Sequence, residues 1–309
     1  MKLAFVYAGQ GSQRAGMGKD IYDTFPAARK LYDSLSVDFD LKNLSFTGGE
    51  LLDRTSYTQP CMAAYAAAVT KVLADNGLRP DYAAGLSLGE YSALHCADVF
   101  DAQSLVSLVR FRGQAMEAAA EGIDAAMIAV LNFDRNALEA CCKEASDHGV
   151  VCIANYNCPT QLVLGGERAA VEKAAALAKE KGAKRCIPLN TAGPFHTPLL
   201  KAAGEALQEK FKSVPFYDMT LPVIFNTTAR PLSNGETIPT LLTKQVQSPV
   251  LFEDTILYLE TQGVDTIVEI GPGKVLSGLI RKTVPDIKTY VIDTADDLAS
   301  VIGTLKGAI

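Results

Sequence analysis

Five residues, Gly85-Leu86-Ser87-Leu88-Gly89, demand a particular turn of the chain. A short strand is predicted just before them, at 82–86, and a helix from about residue 89. Glycine at both ends lets the strand turn sharply into the helix and leaves the central serine exposed at the helix N-terminus. Free backbone N–H groups there can stabilise an oxyanion. G-x-S-x-G also arises by chance as a plain glycine turn, so the flanking strand and helix carry the argument.

The surrounding pattern alternates strand and helix, which is an α/β arrangement. Leu3–Tyr7 reads as a buried strand, followed by Gly9-Gln10-Gly11-Ser12-Gln13. Residues 61–75 are alanine-rich and read as a helix that stops at Asn76-Gly77. A second helix is expected over 103–121. Residues 125–190 read differently: strand 125–131, helix 135–146, strands 150–154 and 162–165, helix 167–181 and strand 185–189. That order, β-α-β-β-α-β, is the ferredoxin-like one. It predicts a subdomain at 125–190 inserted between main-domain stretches at 1–124 and 191–309. Helices at 198–211, 236–246 and 250–262, strands at 223–226 and 266–269, and a helix ending at Lys282 follow.

A serine nucleophile needs a base, and the chain has three histidines. His95 follows Ser87 by eight residues on the same predicted helix, a rise of about 12 Å, too far for a hydrogen bond. His148 sits beside Gly149 at the end of a subdomain helix and reads as a surface residue. His196 lies in Thr191-Ala-Gly-Pro-Phe-His-Thr-Pro198, a loop at the junction of the two units, where a positioned base is expected. On helix 103–121, Leu105, Leu108, Val109, Arg112 and Met116 share one face, whereas Arg110 falls with Gln103, Ser107 and Gln114 and reads as solvated. An arginine on an apolar stripe must be paired, either by an internal carboxylate or by a carboxylate of the substrate. Gly9-Gln10-Gly11 lacks the glycine spacing of a nucleotide loop; its glutamine can instead lend a backbone N–H to an oxyanion.

Composition closes several alternatives. With 309 residues, 48% hydrophobic and 21% charged, the chain can bury a core without staples. Its net charge of −6 and lack of a Lys/Arg run argue against nucleic acid as a partner. Seven cysteines without a C-x-x-C pair argue for free thiols rather than a disulfide framework or zinc, so neither metal nor cofactor is expected. The apolar stretch Leu3–Ala8 is short for a signal peptide, and no run approaches a membrane span. A cytoplasmic location is the expectation.

Taken together these residues resemble the malonyl-CoA:acyl-carrier-protein transacylase family. The resemblance rests on Gly9-Gln-Gly-Ser-Gln13, Thr58-Gln-Pro60, Gly85-Leu-Ser-Leu-Gly-Glu-Tyr-Ser92, Phe111-Arg-Gly113, Gly193-Pro-Phe-His196, Gln245-Val-Gln-Ser-Pro-Val250 and Glu269-Ile-Gly-Pro-Gly-Lys-Val-Leu276, in that order. It implies an α/β-hydrolase-like core with an inserted ferredoxin-like subdomain. It also implies ping-pong transfer of malonyl from malonyl-CoA to the phosphopantetheine thiol of acyl carrier protein, in the service of fatty acid biosynthesis, by a monomer.

In that scheme Ser87 is the nucleophile and His196 the general base. The backbone N–H groups of Gln10 and Leu88 hold the oxyanion, and Arg112 grips the malonyl carboxylate. A main-chain carbonyl at Gln245 orients His196, Phe195 disfavours a methyl branch, and Gln59 joins the substrate site. The family commonly has histidine before the nucleophile, where this chain has Leu86. Lys184, Arg185, Lys201, Arg230, Arg281 and Lys282 are candidates for a basic patch facing the acidic carrier. A thioester hydrolase with the same Ser–His pair, a silent carrier-docking subunit and a trans-acting polyketide acyltransferase are the competing readings. The arginine and the want of an obvious acid partner for His196 speak against the hydrolase.

Overall fold

A computed structural model describes residues 1–190 and 193–307. β1 (Leu3–Tyr7) is followed by α1 (Lys19–Thr24), α2 (Pro26–Ser34), α3 (Leu41–Thr47) and the long α4 (Thr55–Asp75). β2 (Tyr82–Gly85) leads into α5 (Leu88–Cys96) and α6 (Ala102–Ala120). Next come β3 (Ala125–Leu131), α7 (Arg135–Ala145), β4 (Val151–Cys158), β5 (Gln161–Glu167), α8 (Arg168–Glu180) and β6 (Arg185–Pro188). The chain continues with α9 (Lys201–Phe211), β7 (Val223–Ile224), α10 (Ile238–Gln245), β8 (Val250–Leu251) and α11 (Phe252–Thr261). β9 (Thr266–Ile270), α12 (Val275–Thr283), β10 (Lys288–Ile292) and α13 (Ala295–Lys306) complete it.

Two sheets result. The first has the order β10-β9-β1-β2-β7 with every pair parallel. All five residues of β1 are buried, as a continuous apolar run at the centre of a parallel sheet requires. The second has the order β6-β3-β5-β4-β8. Its four strands from residues 125–188 pair antiparallel, and β8 adds in parallel to β4 through Asn155↔Val250 and Tyr156↔Leu251. Each sheet has its own buried apolar cluster. The one under the second sheet gathers Ile128, Val130, Leu138, Leu164, Val171 and Leu177.

The alternation read from the sequence holds, with shifts at the ends. The alanine-rich helix starts at Thr55 rather than 61, and Pro60 lies inside it. Proline has no N–H to give the carbonyl four residues back, at Ser56. Arg110 supplies the missing donor: its Nη1 lies 2.7 Å from Ser56 O. The same guanidinium binds both carboxylate oxygens of Asp38, at 2.9 and 2.8 Å, and stacks 4.2 Å above the Tyr57 ring. Arg110 is therefore buried, not solvated. β8 takes the first two residues of the helix expected at 250–262, and β10 and α13 extend the fold beyond Lys282. All seven cysteines are free. Among the described residues no helix is long and apolar enough to cross a membrane.

Candidate active site

The site lies at the C-terminal ends of β1 and β2, where open parallel sheets place their ligands. Gly85 ends β2 opposite Tyr7 of β1. A methyl group on Gly85 would run into the backbone of Gly89 and Glu90, and one on Gly89 into the Tyr7 carbonyl. The two glycines are thus required by close backbone approach. The unusual backbone torsion falls on Ser87 itself, at φ 54° and ψ −102°, a sparsely populated region for a side-chain-bearing residue. The Ser87 N–H is taken, at 2.7 Å from Asn226 Oδ1. Leu88 is the first residue of α5, so its N–H has no intrahelical acceptor. Gln10, in the loop after β1, lines the same cavity, its side-chain amide held 3.0 Å from Thr55 Oγ1.

His196 is brought against this turn. Its Nε2 lies 2.6 Å from Ser87 Oγ and its Nδ1 lies 2.8 Å from the Gln245 carbonyl oxygen. A carbonyl only accepts, so Nδ1 carries the hydrogen and Nε2 offers its lone pair to the serine hydroxyl. His196 is buried, and burial together with the Arg112 cation pushes its pKa down to about 4, against the pull of the Gln245 carbonyl. The imidazole is neutral at physiological pH, the state a general base needs. Thr191 and Ala192 of the predicted loop lie outside the described residues. His95 and His148 take no part: His95 Nδ1 bonds the Phe100 carbonyl at 2.8 Å and His148 is exposed.

Arg112 is buried with the rest of its predicted apolar face. Its Nη2 lies 3.0 Å from Ser87 Oγ and 2.9 Å from Gln245 Oε1, and its guanidinium sits 5.3 Å from the Tyr91 ring centre. Among the described residues its Nε has no hydrogen-bond partner. Arg112 has no ion pair with a carboxylate among the described residues. Burial lowers its pKa, yet an arginine stays cationic. Burial pushes the neighbouring Glu90 carboxyl up to about 8, so at neutral pH it is largely protonated and brings Arg112 little compensating charge. A buried cation beside the Ser87 hydroxyl, held by neutral acceptors and an aromatic face, is suited to an incoming anion.

These groups line a cavity of about 480 Å³ between the two sheets. Phe195, Gln59 and Leu86 are in its wall, with Met116, Met127, Asn155 and Asn157. Gln59 is buried, its Nε2 3.4 Å from Met116 Sδ and its Oε1 without a partner among the described residues. The structure therefore gathers Gln10, Gln59, Ser87, Arg112, Phe195 and His196 around one cavity, with Leu88 and Gln245 directly behind Ser87. The Gln245 side chain adds a link absent from the sequence reading, donating from Nε2 to Ser87 O at 2.8 Å. Asn226 and Glu90 were also missed; Asn226 follows a two-residue strand and carries no motif of its own. Among the described residues no group of three or more His, Cys, Asp or Glu side chains could hold a metal ion.

Comparison with known proteins decides the family. The acyl transferase domain model matches residues 4–306. The chain belongs to the acyl transferase family. Within it, the chain is 41% identical over 309 residues to the malonyl CoA-acyl carrier protein transacylase of Bacillus subtilis (strain 168), covering 99% of this chain and 98% of that one. The acyl transferase fold here superposes with a TM-score of 0.95 on the malonyl CoA-acyl carrier protein transacylase from Clostridium perfringens, at 36% identity, covering 100% of this chain and 98% of that one. It superposes equally, at 0.95 and 34% identity, on a malonyl-transacylase solved in complex with its type II polyketide-synthase acyl-carrier protein, covering 98% of this chain and 100% of that one.

Proposed function

We propose that this acyl transferase moves the malonyl group from malonyl-CoA to the phosphopantetheine thiol of acyl carrier protein, supplying fatty acid synthesis. The observation that carries the reading is Ser87 Oγ lying within hydrogen-bond reach of both His196 Nε2 and Arg112 Nη2. A single methylene separates the two carboxyl carbons of malonyl, so a guanidinium adjacent to the nucleophile suits that acyl group. Relatives at 38–41% identity that carry the transacylase name support the same substrates.

In the reaction, His196 Nε2 takes the Ser87 proton as Oγ attacks the thioester carbon. The carbonyl electrons move onto oxygen, which the N–H groups of Leu88 and Gln10 receive. Collapse breaks the C–S bond, the coenzyme A thiolate takes the proton from His196, and malonyl-Ser87 remains. The carrier thiol then gives its proton to His196 and attacks the ester carbon; the C–Oγ bond breaks, the malonyl thioester leaves and His196 returns the proton to Ser87 Oγ. Arg112 holds the malonyl carboxylate throughout. Phe195 in the cavity wall crowds a methyl branch, and Gln59 offers its unpartnered Oε1 to the acyl pocket.

The same reading treats 1–124 and 191–309 as an α/β-hydrolase-like core and 125–190 as a ferredoxin-like subdomain. The antiparallel order β6-β3-β5-β4 and the separate apolar cluster beneath it support this. The enzyme acts as a cytoplasmic monomer, its exposed Lys184, Arg185, Arg281 and Lys282 attracting the acidic carrier. Arg230 is less available, being bound by both oxygens of Glu236, and Lys201 has Glu205 beside it. Coenzyme A release from malonyl-CoA tests the transferase: beyond one equivalent it should require holo carrier protein. Sustained release without carrier would make the protein a hydrolase.

A further inference from the structure

Asn226 is fully buried beneath the turn that carries Ser87, and each of its four polar groups has a different partner. Its Oδ1 accepts from Ser87 N–H at 2.7 Å, and its Nδ2 donates to the Gly85 carbonyl at 2.7 Å. Its backbone N–H donates to Glu90 Oε2 at 2.5 Å, and its carbonyl accepts from Leu251 N–H at 2.9 Å. The side chain therefore spans the turn from the end of β2 to the nucleophile. The main chain fastens that clamp to α5 on one side and, through β8, to the second sheet on the other. A tight reversal holds Asn226 in place, with Phe225 pairing Arg230 and Ala229 in the left-handed region at φ 51°.

We propose that Asn226 is a positioning residue for the acyl transfer: its carboxamide locks Ser87 in the strained backbone conformation that aims Oγ at His196. The inference rests on the reading of Ser87 as the nucleophile. Two consequences follow from the bonds. The clamp occupies the Ser87 N–H, so the oxyanion must be received by other donors, which leaves the roles to Leu88 and Gln10. It also offsets the strain at Ser87, since removing the carboxamide lets φ relax and leaves the part-buried Ser87 N–H and the buried Gly85 carbonyl without this partner. Aspartate is the same shape but has no donor; its second oxygen would face the Gly85 carbonyl oxygen, acceptor against acceptor.

The test is rapid-quench measurement of malonyl-enzyme formation from malonyl-CoA, read by intact mass, for the unaltered protein, Asn226→Ala, Asn226→Asp and Ser87→Ala. The limiting acylation rate constant should fall about 100-fold in both Asn226 variants, as a displaced reacting group would cause. The half-saturating malonyl-CoA concentration should stay within a few-fold. The rate constant is read per burst amplitude, so partial unfolding lowers the amplitude and not the constant. An unchanged rate constant would overturn the proposal, as would a loss expressed only in half-saturation, or an adduct-free variant that no longer unfolds cooperatively. Failure of the underlying reading looks different: no burst in the unaltered protein, or a burst that survives in Ser87→Ala.

Discussion

His196 Nδ1 lies 2.8 Å from the main-chain carbonyl oxygen of Gln245, in the place where many serine enzymes put a carboxylate. A carbonyl fixes the tautomer as a carboxylate does, but brings no full negative charge to stabilise an imidazolium. Arg112 on the other side adds a repulsive cation. The carbonyl sets the tautomer, while burial, and after it the Arg112 cation, lowers the pKa of His196 against the pull of that carbonyl.

The pH dependence of acylation should reflect that environment. With the imidazole near 4 in the free enzyme, the neutral base persists as pH falls through the range where an ordinary histidine protonates. The kcat/KM for malonyl-CoA should stay level down to about pH 5 and fall only as pH approaches about 4. Stopped-flow acylation across pH checks this. A loss centred near the ordinary histidine value would mean that His196 is not the group being titrated.

Arg112→Ala should weaken transfer of malonyl far more than transfer of acetyl. A desolvated, hydrogen-bonded charge pair is worth about 2–5 kcal/mol when one partner is truncated. Arg112→Lys should recover only part of the difference, because an ammonium cannot make the two parallel bonds. Parallel measurements of kcat/KM with the two thioesters decide it, and equal losses would make Arg112 a structural residue.

Glu90 should leave a mark on stability. Burial holds its carboxyl at about 8, despite the Asn226 N–H and the Arg112 cation, whereas an unfolded chain releases that proton near 4.5. Between those values the folded state binds more protons than the unfolded one, so this group's contribution is present at low pH and is lost as pH rises. Thermal unfolding of the unaltered protein and Glu90→Gln should show it: the unaltered Tm falls relative to the variant's between about pH 5 and 8. A pH-independent difference would contradict the assignment.

The glycines of the turn should resist the smallest enlargement. Gly85→Ala and Gly89→Ala each place a methyl group in backbone that cannot retreat, and should cost about 1–3 kcal/mol or more, as overpacking does. Urea unfolding measures this. Neutral substitutions would mean that the elbow is looser than its contacts imply.

Much of the site was legible because it lies on strong local patterns. Ser87 sat in a strand–turn–helix signal, Arg112 on a helical apolar stripe, and His196 in a rigid loop left after two other histidines were set aside. What the sequence hid depends on partners distant along the chain. Arg110 looked solvated on its own helix, because nothing in that helix reveals a carbonyl orphaned by Pro60 on another. Asn226 bonds Ser87 from 139 positions away, and β8, with two residues, is too short for a period to be read. The pairing of β8 with β4, which ties the two sheets together beside the site, was invisible for the same reason.

The most direct measurement mixes the purified protein with malonyl-CoA or acetyl-CoA, records the intact mass and maps the adduct. A malonyl adduct should form on Ser87 and be discharged by holo acyl carrier protein, with little acetyl adduct under the same conditions. An adduct on another residue, or equal labelling by acetyl-CoA, would contradict it.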